Sequence, residues 1–267
     1  MAQFFGKYRG KVAATKDPLH LGRVQVQVPA IFGEERTSWA LPCTPYAGKD
    51  IGFFTIPPVG ANIWVEFEGG DPDYPIWSGC FWGEDELPVV AKVAEPDKVQ
   101  VFKTDGITFI LSNFGDNKGL TIEVKSPVVD RPLKMLFNAD GIEINNNSQT
   151  TTKWLADKIE LKNRENSIVT LTQNDIEVKQ STITTKWTAN SIENTCSPAT
   201  LKLSSASGIE LNNTISAGKF TSSGIEFNVT STAVKLSPAS LDLQTGAASV
   251  KLSPASVNVN NGALEVI

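Results

Sequence analysis

"AVKLSPASLDLQTG" occupies residues 233–246, and "SVKLSPASVNVNNG" follows at 249–262, sixteen residues on. Each copy alternates apolar and polar residues twice, first in Val234-Lys235-Leu236 and then in Leu241-Asp242-Leu243, with "SPAS" between. Successive side chains point to opposite faces of a strand, so each triplet reads as a short strand with one apolar face and one wet face. Ser, Pro and Gly stretches between them supply the turns. The Pro, Gly, Ser and β-branched content opposes a helix.

The pattern runs far upstream. An apolar-acidic marker recurs as "DGIEI" at 140, "DKIEL" at 157, "NDIEV" at 174, "NSIEN" at 190, "SGIEL" at 207 and "SGIEF" at 223, then in weaker form as "ASLDL" at 239 and "ASVNV" at 255. Its first apolar residues are Ile142, Ile159, Ile176, Ile192, Ile209, Ile225, Leu241 and Val257, with successive gaps of 17, 17, 16, 17, 16, 16 and 16 residues. A fixed period of this kind marks a stacked array of small supersecondary units.

Such a unit cannot bury its apolar face alone. About eight residues per strand and turn is short for one chain to wrap a core, although a single-chain solenoid remains the alternative. Three chains winding around a common axis solve the problem as a triangular prism, with the eight residues above as the needle core. Each buried Ile, Val or Leu side chain then contributes roughly 1.5–3 kcal/mol. One prism turn takes about 24 residues per chain and rises about 14 Å, so the repeat predicts a needle on the order of 100 Å. The mid-strand Glu and Lys face outward, keep the needle soluble and discourage lateral pairing.

Composition divides the chain in the same way. Four of the 6 Trp precede residue 90, and the last 80 residues hold neither Trp nor Tyr. Residues 1–88 read as a small β-barrel of the OB kind, with alternation in "GRVQVQVPAI" (22–31) and "NIWVEFEGG" (62–70), a strand at "PIWSGCFWG" (75–83), and no helix. The expected organisation is an OB-fold domain at 1–88, a connector at 89–104 and a repetitive trimeric β-helix at 105–267, an all-β chain throughout.

"DPLHLGRVQVQVP" and "PPVGANIWVEFEGGDPDYPIWSGCFW", together with the repetitive β tail, resemble the central spike of contractile injection machines. That family includes the gpV-type baseplate spike of contractile-tailed phages, the OB-and-needle part of the type VI secretion spike VgrG, and spikes of phage-tail-like particles. The resemblance implies a homotrimer of OB barrels on a β-needle that punctures a target-cell envelope transiently. It also implies assembly in the bacterial cytoplasm and incorporation into a virion tail or tail-like particle. A separate hub protein is expected at the OB end, with Phe4, Phe5 and Tyr8 as candidate contacts, packing of these rings on the chain's own barrel being the alternative. A conical PAAR-type tip protein is expected at the far end, on Leu264, Val266 and Ile267. "FWGEDELPVVAKVAEPDKVQVF" runs from barrel to repeat, leaving no room for the lysozyme insert of some phage spikes. The His-x-His apex that binds iron in several short spikes has no counterpart here, so no metal is expected.

Other chemistry is weakly signalled. The net charge of −5 and the 20% charged residues give no basic footprint, which argues against a nucleic-acid partner. Glu66 and Glu68, taken as one strand face with Asp71 and Asp73 in the next turn, form a possible glycosidase pair, but an exposed strand followed by a turn explains them better. His20 is the lone histidine, which leaves Ser-His-Asp chemistry little to draw on, and GxSxG, GxGxxG and P-loop patterns are absent, so no cofactor is expected. Three distant cysteines read as reduced buried thiols. The N-terminus has no apolar signal-peptide core, and no run is long enough to span a membrane. A non-enzymatic spike is the reading adopted. A polysaccharide-acting β-solenoid and an OB-fold nucleic-acid binder with a stalk are the alternatives.

Overall fold

The computed structural model describes residues 2–115, 118–147 and 150–266, with the side chains of 265 and 266 outside the description. It contains two units, Met1–Lys92 and Val93–Ile267.

The first unit is a five-stranded closed barrel. Its strands are β1 (Tyr8–Ala14), β2 (Val24–Gln27), β3 (Thr37–Pro42), β6 (Asn62–Phe67) and β7 (Pro75–Cys80), and a two-stranded ribbon, β4 (Ala47–Gly48) with β5 (Ile51–Gly52), stands apart from them. All barrel pairs are antiparallel except β3 with β7. Alternation decides the interior: Val12, Val24, Val26, Val28, Ile63, Val65, Phe67 and Trp77 point inward and are buried. The head is not free of helix, because Pro29–Phe32 forms one turn. Pro29 starts it with a fixed φ at a position where the missing N–H costs nothing.

The loop between β1 and β2 is closed by one carboxylate. Asp17 accepts hydrogen bonds from the Leu19, Leu21 and Arg23 amides and from the Arg23 guanidinium, the last at 2.7 Å. The Arg23 hydrogen bond leads the influences that hold the Asp17 carboxyl well below the usual range. Arg23 in turn lies over the Trp39 ring at 5.3 Å.

The second unit is a ladder of twenty strands from Val99–Lys103 to Leu264–Val266. Its first strand falls in the stretch expected as connector, because Val99-Gln100-Val101 already has the apolar-polar-apolar alternation of a strand. Each strand pairs antiparallel with the next along the whole run, for example Lys158–Asn163 with Ser167–Thr172 and Thr232–Leu236 with Leu241–Thr245. The sequence reading has the chain stepping from side to side of a prism. Within the single chain each strand instead turns back on its predecessor through a short turn.

Those turns have a repeating chemical cause. The hydroxyls of Thr172, Thr188, Ser204, Thr221, Ser237 and Ser253 each accept a hydrogen bond from a backbone amide two or three residues on. This local bond favours the turn over further strand. Gly224, at φ +149, follows one such turn, and a Cβ there would lie 2.0 Å from the Leu236 carbonyl oxygen.

Candidate functional site

The register sorts the ladder into columns of directly opposed residues. Ile142 opposes Trp154, which opposes Ile159, which opposes Leu171. The same column continues through Ile176, Trp187, Ile192 and Leu203 to Ile209 and Phe220. It ends through Ile225, Leu236, Leu241, Leu252 and Val257 at Val266. All eight residues expected at the needle core therefore stand in one line on one face. The intervening strands, which lack the apolar-acidic marker, complete it with Trp, Leu and Phe.

A second apolar column, two residues along each strand, contains Leu161, Val169 and Val178, and later Phe227, Val234, Leu243 and Val250. Together the columns form a continuous apolar face that the chain itself leaves uncovered. Ile159, Ile176, Ile192 and Ile209 keep 38–43% of their surface exposed, and every buried hydrophobic residue among those described belongs to the head.

The opposite face carries charge in alternating sign. Glu177, Lys186, Glu193, Lys202, Glu210, Lys219, Glu226, Lys235, Asp242 and Lys251 are directly opposed in succession over ten strands. Cross-strand pairs of opposite charge each contribute about 0.2–1 kcal/mol. Lys235 lies 3.0 Å from Glu226 and Lys251 3.6 Å from Asp242. Hydrogen bonds from Asn228 and then Lys235 hold the Glu226 carboxyl below its ordinary value. The sequence reading has these residues facing outward, but the sign alternation emerges only once antiparallel pairing interleaves the two strand types.

The head residues expected to dock a hub separate. Phe4 and Tyr8 pack on the barrel's own core, their ring centroids 6.2 and 5.6 Å from that of Phe67, so they are not free contacts. Phe5 is 69% exposed. At the other end Leu264 is exposed, Val266 is placed by its backbone pairing with Val257, and Ile267 lies outside the described residues.

Glu66 and Glu68, weighed in the sequence against an exposed strand and turn, do not share one strand face. Glu66 lies in β6, but the strand ends at Phe67 and Glu68 opens a 3₁₀ turn. Lys7 sits 2.8 Å from Glu66 and holds its carboxyl below the ordinary value, the opposite of what a general acid needs. Cys43, Cys80 and Cys196 are exposed free thiols, not buried ones. The described residues contain no helix long and apolar enough to cross a membrane.

Residues 8–82 match the family described as the type VI secretion system/phage-baseplate injector OB domain. A 62-residue stretch, 22% of this chain, is 37% identical to the actin cross-linking toxin VgrG1 of Vibrio cholerae serotype O1 and covers 6% of that protein. This chain thus corresponds to a small part of that relative's length. The head of this chain is thus similar to an injector OB domain, and a long antiparallel β-ladder follows it in sequence.

Proposed function

We propose that three copies of this chain form the membrane-piercing central spike of a contractile injection machine, a phage tail or a type VI-like system, acting mechanically and not as an enzyme. The observation that carries this reading is the uncovered apolar face, a column of large side chains over some sixteen strands with no cover in its own chain. The chain exposes 18193 Å² at 28.8 kDa, whereas a compact monomer of that mass exposes about 11,000 Å². The excess, about 7,000 Å², reflects an extended ladder and leaves ample surface for an obligate interface of about 2,000–5,000 Å² or more.

Function follows from stiffness. Twenty strands at about 4.8 Å each give a rod on the order of 95 Å. The outer Glu and Lys ladder keeps it soluble while the inner faces close on one another. Phe5 is the proposed contact for a hub, and the strand Leu264–Val266 for a tip protein.

Light scattering or sedimentation tests the assembly. The expected mass is three times that of the chain, and a stable folded monomer at micromolar concentration refutes it. Replacing the exposed Phe5 by Ala is expected to weaken capture of the hub and leave the trimer intact.

A further inference from the structure

A repeat this regular creates an ambiguity. Moving one chain past another by one unit, two strands, lays apolar residue on apolar residue. It also lays charge on like position, because the Glu/Lys alternation has the same two-strand period. From Glu177 to Lys251 the charged face cannot distinguish the intended stagger from a slipped one, and the first apolar column differs between units in side-chain size but not in polarity. The stretch 81–98 between barrel and ladder contains no strand among its described residues, and a stagger signal inside the repeat would act whatever the head contributes.

One feature breaks the translation. In the second apolar column, the middle position of each strand, Thr185 and Asn194 are direct cross-strand partners. The Thr185 hydroxyl donates to Asn194 Oδ1 at 2.7 Å, and both residues are half-buried. One unit before them the same positions hold Val169 and Val178, and one unit after, Leu201 and Leu211. No other two adjoining strands from Ile144 to Leu264 place polar residues together in this column. The apolar face is also recessed here, by a hollow of about 560 Å³ that extends to Gly218 and Phe227.

We propose that the Thr185–Asn194 pair is the stagger key of the assembled spike, the layer by which each copy of this chain recognises the matching level of the other two. This rests on the trimer proposed above. The paired side chains leave the Asn194 amide hydrogens and the Thr185 oxygen lone pairs free to face the axis. In register, three such sets meet and satisfy one another. Slipped by one unit, they face Val or Leu and are buried without partners, which is strongly unfavourable. A single buried polar layer specifies register in coiled coils by the same physics.

The test uses the full chain with its three cysteines changed to Ser and a spin label on a cysteine at Ser205, a turn position. The otherwise natural trimer is expected to give one narrow interchain distance distribution. Thr185→Val with Asn194→Leu, which removes both partners together, is expected to remain trimeric by sedimentation. Its distribution splits or broadens, with components displaced along the axis by about 9.5 Å, two strand spacings. A second variant adds Val169→Thr and Val178→Asn, moving the key by one unit, and restores the single narrow distribution. A double variant that stays trimeric with an unchanged narrow distance overturns the key while leaving the trimer standing. A moved key that fails to restore order overturns it as well, independently of how the double variant folds. A natural chain that stays monomeric overturns the assembly and this inference with it.

Discussion

Replacing Ile209 by Asp separates a covered ladder from a bare one by magnitude. In the single chain Ile209 is 39% exposed and opposes Leu203 and Phe220. Full burial of such a side chain is worth about 1.5–3 kcal/mol, so losing its partial burial costs about 1–2 kcal/mol. The new carboxylate would still reach water and add little. In a three-chain spike the remaining surface is also lost, and three carboxylates are buried near one axis without partners. An uncompensated buried charge costs about 3–5 kcal/mol, so the expected loss is about 5 kcal/mol or more per chain, with dissociation at micromolar concentration. The control is the adjacent Glu210→Gln on the opposite face, which loses only its pairings with Lys202 and Lys219, at about 0.2–1 kcal/mol each. Urea denaturation followed at several protein concentrations, with sedimentation of each variant, reads both quantities. An Ile209→Asp chain that stays trimeric and loses no more than about 2 kcal/mol refutes the buried-axis reasoning.

Gly224→Ala is expected to destabilise the ladder locally, because its Cβ meets the Leu236 carbonyl oxygen at 2.0 Å and its φ is +149; hydrogen exchange should rise around Gly224–Val229, and uniform exchange across the ladder would count against it. Lys219→Glu sets three acidic residues in a row with Glu210 and Glu226, costing about 0.4–2 kcal/mol over two reversed pairs at low salt. High salt should shrink the loss. Acid should weaken the ladder. Hydrogen bonds lower the carboxyls of Asp175 (chiefly from Lys186) and Glu226 (chiefly from Asn228) below their ordinary values of 3.8 and 4.5. A carboxyl more acidic folded than unfolded stabilises the fold above its unfolded value, and that contribution is lost as pH falls through the folded one. Melting temperature should therefore hold near neutral pH and fall below about pH 4.5, less steeply in Glu226→Gln.

Much of the fold was legible in the sequence, for reasons that differ by element. The spacing of Ile142 through Val257 exposed the apolar column because antiparallel strands of equal length return each marker to the same line. The barrel was legible where alternation was clean, as in Val24-Gln25-Val26 and Ile63-Trp64-Val65. Three things were hidden, the first two because they depend on pairing and not on local pattern. Trp154 and Trp187 join the column only through cross-strand register. The alternating sign of the outer ladder needs both strand types side by side. The periodic Ser and Thr hydroxyls read as generic turn residues until their acceptor role appears. The sequence left Phe4 and Tyr8 between a hub contact and the chain's own barrel, because nothing local marks Phe67 as their partner. Glu68 looked like a strand residue because the alternation runs one position past the point where Gly69 and Gly70 let the chain turn.

The winding of the proposed trimer is where the sequence pattern and the single-chain fold diverge most sharply. A chain that steps from side to side of a prism spends three strands, about 24 residues, per turn and rises three strand spacings, about 14 Å. A chain that meanders on one side spends the same residues on the same three spacings. Rod length therefore cannot tell them apart, and neither can the mass of the assembly. The identity of the hydrogen-bonded neighbour can. Thr232 and Thr245 are direct partners within one chain, their hydroxyls 2.9 Å apart. Opposed residues on one face have Cβ atoms about 4.5–5.5 Å apart, close enough for a disulfide after small adjustment. With Cys43, Cys80 and Cys196 changed to Ser, Thr232→Cys with Thr245→Cys should oxidise within a chain if each copy forms one side of the prism. The spike then runs as single chains on a denaturing, non-reducing gel. If the copies interleave, strands adjacent in sequence lie on different sides and the partner of residue 232 belongs to another chain. The same oxidation then yields covalent dimers and trimers, and that ladder of bands would overturn the meander as the arrangement in the assembled spike while leaving the apolar axis intact.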